Sequence, residues 1–197
     1  MTLPIARAEN DPDDAALMAR LAGGDRDAFA LLIDRHKDAL VSYLARLTGS
    51  RDRGEDLAQE SFLRLFRNSG SYRERGHFTA FLYRIGTNLV RSEARRERRW
   101  RRMAPELARP RPEAAEPRGP RRLLEREIQG RLAAAVAALP LALRAPLVLY
   151  EIEDWPQREI ARALGCREGT VKSRLHRARA RLREELAPYW GQRGGSR

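Results

Sequence analysis

One cysteine, Cys166, and three scattered histidines, His36, His77 and His176, are all that the sequence offers in thiols and imidazoles. A lone cysteine closes no internal disulfide, and histidines so spaced make no zinc-ligand pattern, so the expectation is a fold without staples and without a metal or other cofactor. Long apolar runs are missing too. The longest uncharged stretch, Leu132 to Leu143, contains Pro140 and falls well short of the roughly 20 residues a membrane-crossing helix needs. Met1 to Asp14 is rich in Asp and lacks the apolar centre of a secretory leader. These absences lead us to expect a soluble, cytoplasmic chain with no membrane insertion. No P-loop, dinucleotide fingerprint or catalytic triad is present, so neither an enzyme nor a small-molecule substrate is expected.

Lysine is nearly absent as well, and here the scarcity points somewhere. Of 39 cationic side chains only Lys37 and Lys172 are lysines, and 27 carboxylates leave a net charge of +12. A surface of planar guanidinium forks suits phosphates and base edges, so the charge balance calls for a polyanionic partner. A composition of 42% hydrophobic residues still permits a core, while 34% charged and 7% aromatic fit helices with wide solvated faces.

Ala104 to Pro120 reads APELARPRPEAAEPRGP, five prolines with no aromatic or β-branched residue. Such a segment buries too little surface to offset its ordering entropy and is expected to be a flexible linker over 104–120. Apolar residues recur at three and four on both sides of it, with no alternating strand pattern. The expected fold is all-α: two small helical domains, 14–103 and 121–190, joined by the Pro-rich linker.

In the first domain the pattern predicts a helix from about Asp14 to Ala22, stopped by Gly23-Gly24 where glycine relieves a left-handed cap. Asp25 or Asp27 then caps a longer helix through Leu47 that turns Phe29, Leu32, Ile33, Leu40, Leu44 and Leu47 to a core. A third helix is expected from near Asp52, with Glu55 placed as in a capping box, to about Arg67. Gly70 and Gly76 bracket a loop before a fourth helix from about His77 to Arg102. That helix starts apolar and ends with seven arginines against two glutamates between Arg91 and Arg102. A solvated helix end and a nucleic-acid contact both account for such a block.

At 100° per residue, the third helix puts Ala58, Phe62, Leu65 and Phe66 on one face, expected to be core. Asp52, Asp56, Gln59 and Glu60 lie opposite, with Leu63 among them. A leucine inside an acidic stripe is either an isolated exposed residue or a docking surface, in which it supplies contact area while the carboxylates select a basic partner.

The second domain carries a helix-turn-helix pattern. Ile160 and Leu164 face inward a turn apart, Ala161 permits close crossing, Gly165 makes the turn, and Val171, Leu175, Ala178 and Leu182 form the buried stripe of the next helix. Ser173, His176, Arg177 and Ala180 point the other way, flanked by Lys172, Arg174 and Arg181. From Arg158 to Arg183 nine cations face two carboxylates, as a helix lying in a major groove requires.

The order of these segments resembles the extracytoplasmic-function (ECF) group of bacterial RNA polymerase sigma factors. The residues that carry the likeness are Asp56-Leu57-Ala58-Gln59-Glu60 with Phe62, then Phe81-Leu82-Tyr83-Arg84-Ile85 with Asn88. Arg158-Glu159-Ile160-Ala161 and Gly169-Thr170-Val171-Lys172-Ser173-Arg174 complete it. The resemblance implies a sigma-two domain followed by a sigma-four domain, with core RNA polymerase and promoter DNA as partners and an anti-sigma factor as a further candidate. It implies polymerase docking through Asp56, Gln59, Glu60 and Leu63. Recognition and melting of the minus-ten element would fall to Tyr72, Arg73, Phe81, Tyr83, Arg84, Asn88, Arg91 and Arg95, since melting needs a base pocket, stacking faces and backbone cations. Phe78 and Phe81 are each candidates for core or for stacking. Lys172, Ser173, His176 and Arg177 would read the minus-thirty-five element, with Arg158 and Arg174 clamping phosphates. Phe81 stands where the group usually has Trp. Pro156 replaces a common capping Ser, leaving Asp154 as an alternative cap, and Arg167 replaces a frequent Pro.

Two other readings use the same residues. A regulator with a C-terminal helix-turn-helix would bind duplex DNA without polymerase. A two-metal nuclease built on Asp52, Glu55, Asp56 and Glu60 conflicts with helical geometry, because Glu55 points away from the Asp56 and Glu60 edge.

Overall fold

The computed structural model describes residues 12–72, 76–103 and 130–190, with the backbone alone at residue 101 and at 188–190. The expected linker over 104–120 and the candidate Arg73 lie outside the described residues.

Among the described residues the regular structure is helical. Helix α1 (Asp14–Ala22) starts where the Asp13 carboxylate accepts from the Ala16 amide at 2.7 Å. It is fastened to the next helix by its own first residue: Asp14 accepts from Arg35 Nη1 at 2.5 Å and meets His36 Nε2 at 2.9 Å. Burial pulls the Asp14 carboxyl upward, but the His36 and Arg35 contacts outweigh it and hold the group below its ordinary value. Gly24, with φ 94°, takes the left-handed turn, and Asp25 caps α2 (Arg26–Thr48) by accepting from the amides of Asp27 and Ala28. Gly49, at φ 77°, ends α2.

Helix α3 (Arg51–Arg67) begins earlier than the sequence pattern predicts, because Ser50 is the cap and accepts from the Arg53 amide at 3.3 Å. Glu55 does not close a capping box; it pairs with Arg51 one turn back. A 3₁₀ turn (Ser69–Ser71) leads toward α4 (Phe78–Met103), which packs on α2 and α3. The first core gathers Leu32, Leu40, Leu44, Leu65 and Leu82, each fully buried. In its midst the Tyr43 hydroxyl bonds Thr87 Oγ1 at 2.9 Å, which satisfies two polar atoms that would otherwise cost stability in the apolar interior. Phe78 is core at 4% exposure. Phe66 is not: it is 40% exposed and touches Phe29 at 5.0 Å between ring centroids, since it stands 100° around the helix from the fully buried Leu65, at the edge of the core face.

The second half consists of α5 (130–138), α6 (Leu141–Glu151), α7 (Gln157–Leu164) and α8 (Glu168–Trp190). Pro156 forms the cap position of α7 with no side-chain hydrogen bond, and Asp154 adopts φ 54° instead of capping. Gly165, at φ 64°, makes the left-handed turn into α8, a conformation glycine adopts at no steric cost. Ile160, Val171 and Ala178 are fully buried where α7 and α8 meet α6.

The two halves are packed on each other through α4 with α7 and α2 with α6. Arg144 of α6 donates to the Leu47 carbonyl at 2.6 Å, and so holds the exposed end of α2.

Candidate nucleic-acid and docking interfaces

On α3 the acidic stripe is exposed. Leu63 is 40% accessible, Asp56 and Gln59 are exposed and Glu60 is partly so. The carboxylates are steered by arginines on the same helix, Asp56 by Arg53 at 3.0 Å and Glu60 by Arg64 at 2.8 Å. Arg53 also binds Glu93 of α4, which locks the rotation of α3 against the core. Phe66 lies one turn beyond Leu63 and extends the apolar part of this surface. The helical period places it on the margin of the core face, and the structure shows that this margin is exposed.

On α8 the side chains of Lys172, Ser173, His176 and Arg177 are all exposed, opposite the buried Val171, Leu175 and Ala178. Arg177 Nε rests on the Ser173 carbonyl at 3.3 Å and Ser173 Oγ donates to the Thr170 carbonyl, so both occupy defined places on the helix. Arg179 lies elsewhere: it donates to Glu151 at 2.6 Å and covers the Tyr150 ring at 5.2 Å. It therefore holds α8 to α6. Arg158, exposed at the start of α7, lies 4.0 Å from the carboxylate of the adjacent Glu159, and Arg174 approaches the Cys166 sulfur at 3.8 Å.

The candidate melting residues divide. Arg84, Asn88 and Arg95 are exposed and Arg91 is partly so, with Arg91 donating to Asn88 Oδ1 at 3.2 Å. Tyr72 and Phe81 are half-buried, their rings tilted against each other at 5.0 Å between centroids. Tyr83 is 2% exposed, caught between Tyr43 at 4.9 Å and Trp155 of the second half at 4.7 Å. Burial, reinforced by the nearby Glu153, pushes the Tyr83 phenol well above its ordinary range. Tyr72, Phe81 and Arg84 line one wall of a cleft of about 1150 Å³, and Arg158, Arg162 and Arg167 line the other. Trp155, Arg162 and Arg167 in these roles escape sequence reasoning, because a contact between distant segments leaves no local pattern.

No group of three or more His, Cys, Asp or Glu among the described residues is arranged to hold a metal ion. No described helix is long and apolar enough to cross a membrane.

Two family patterns match the chain: Sigma-70 region 2 over residues 32–100 and Sigma-70 region 4 over residues 129–182. The ECF RNA polymerase sigma factor SigW of Bacillus subtilis is 31% identical over 177 residues, covering 83% of this chain and 91% of that one. This chain belongs to the ECF RNA polymerase sigma factors. The ECF sigma factor SigE of Mycolicibacterium smegmatis is 37% identical over 158 residues, 80% of this chain and 61% of the longer relative. Among solved structures, CnrH in complex with the cytosolic domain of CnrY has a TM-score of 0.65 at 26% identity, covering 89% of this chain and 97% of that one. The region 2 match sets aside a regulator with only a helix-turn-helix, since such a protein has no use for the first half.

Proposed function

We propose that this ECF sigma factor binds core RNA polymerase, directs it to promoters that carry a minus-ten and a minus-thirty-five element, and starts the opening of the duplex. The observation that carries the reading is the pairing, on one chain, of an exposed leucine within an acidic stripe and a recognition helix whose free face is cationic. The first suits a basic protein partner and the second suits DNA. Asp56, Gln59, Glu60 and Leu63 dock the polymerase. Tyr72, Arg73, Phe81, Tyr83, Arg84, Asn88, Arg91 and Arg95 serve the minus-ten element. Lys172, Ser173, His176 and Arg177 read the minus-thirty-five element, with Arg158 and Arg174 on phosphates. Domains at 14–103 and 121–190, tethered by 104–120, divide the work.

The protein breaks no bond itself and works in the cytoplasm, where the polymerase supplies the chemistry. An anti-sigma factor that covers both surfaces would control it. The test is a mobility-shift assay on promoter DNA with and without core enzyme: a shifted complex that needs the polymerase supports this role, and equal binding by the chain alone refutes it.

A further inference from the structure

We propose that Asp14 and His36 are positioning residues for promoter opening: through Phe78 they hold the Tyr72 and Phe81 rings where these receive unpaired bases. The inference rests on the function proposed above, because it assigns the support of the minus-ten face named there.

His36 is nearly buried, with 12% of its side chain accessible, yet it takes part in no proposed DNA or polymerase contact. Its Nε2 stands 2.9 Å from Asp14 Oδ2, and an ionised carboxylate can only accept. Asp14 is 15% accessible and accepts from Arg35 Nη1 at 2.5 Å as well, while Arg35 Nη2 donates to the Pro12 carbonyl at 3.0 Å. Charged hydrogen bonds sheltered from water are short and directional, so this carboxylate sets the plane of the imidazole. That plane bears on Phe78. The two rings lie 5.1 Å apart between centroids at 56°.

Phe78 opens α4 and presents its ring edge-on to Tyr72 at 6.3 Å, and Tyr72 meets Phe81 at 5.0 Å. A relay of rings thus runs from the first residue of α1 to the cleft wall where Tyr72, Phe81 and Arg84 stand. Helix α1 reaches the same place by a second route, since it packs on the 3₁₀ turn Ser69–Ser71 that delivers Tyr72. One short turn is a weak backbone support for a ring, so side-chain packing has to fix its direction. A ring ordered before the base arrives loses none of its stacking energy to ordering at that moment.

Asp14→Asn keeps the size of the side chain and removes its charge, and His36→Ala removes the ring that supports Phe78. The test uses full-length variants with core polymerase on a promoter at which the unaltered chain initiates. Binding to the duplex is read by mobility shift, and opening by permanganate reactivity of unpaired thymines. The expected result is unchanged helix content, unchanged binding to polymerase and duplex, and opening slowed about tenfold, which is the scale of one lost base stack. Adding Asp14→Asn to Tyr72→Ala should slow opening no further than Tyr72→Ala alone, because both act through the same ring. Opening at the normal rate in the single variants overturns the proposal, and so do additive effects in the double one. Loss of helix content in both single variants overturns it too, since the pair then serves folding; if His36→Ala alone unfolds, Asp14→Asn decides. Normal opening by Tyr72→Ala refutes the minus-ten assignment and this inference with it, whereas slow opening by Tyr72→Ala beside normal opening by Asp14→Asn refutes the inference alone.

Discussion

Gly54 of α3 crosses so close to Ala45 of α2 that a β-carbon on the glycine would lie 2.6 Å from the Ala45 backbone nitrogen and 2.9 Å from its Cα. The obstacle is backbone, which yields only if the helices separate. This approach sets the depth at which α3 packs, and therefore how its outer stripe is presented. Gly54→Ala is expected to lower stability by about 1–3 kcal/mol, the usual cost of overpacking, despite the better helix propensity of alanine. Urea unfolding followed by circular dichroism measures it.

Leu63 is exposed and has no role in the core, so Leu63→Arg should leave the melting temperature within the ordinary scatter of surface substitutions. It should abolish co-elution with core polymerase, because a charge would then occupy the apolar centre of an acidic docking stripe. Retained co-elution would remove α3 from the interface.

Arg177 and Arg158 are predicted to fail in different ways. If Arg177 makes a bidentate base contact, Arg177→Ala costs about 1–3 kcal/mol and relaxes sequence preference at one position of the minus-thirty-five element. Arg158→Ala should weaken all sequences alike and lower the salt slope by about 1. Binding of the polymerase complex to a set of promoter variants at several salt concentrations separates the two.

Burial raises the phenol pKa of Tyr43 and of Tyr83 above the ordinary value of 10.0. The unfolded chain therefore releases these protons first. The stability that the neutral phenols contribute is intact below pH 10 and is lost progressively as the pH rises from there toward the folded-state values. Tyr83→Phe cannot ionise and should shift the alkaline unfolding midpoint upward, as read by circular dichroism across a pH series. An unchanged midpoint would mean that Tyr83 is accessible in solution.

Much of the helix-turn-helix is legible in the sequence because it is local: Gly165 at a left-handed turn and the Val171, Leu175, Ala178 stripe follow from backbone sterics and helical period. The α3 stripe is legible for the same reason. Cap choice is less so, since Ser50 and Asp52 are both good capping residues and only the end of α2 at Gly49 decides between them. Phe66 follows the core period yet leaves the core, because the period does not say how wide the covered face is, and Phe66 stands at its margin beside the fully buried Leu65. The Trp155 and Tyr83 contact joins residues far apart in the chain, and nothing in either segment announces the other.

In the role proposed above, the chain makes core RNA polymerase choose promoters. Mapping the transcripts that core enzyme initiates on genomic DNA, with and without the purified protein, tests it most directly. A new set of start sites is expected, each preceded by the same two short elements and absent when Leu63→Arg is supplied instead. Identical start sites with and without the protein, both components being intact, would contradict it.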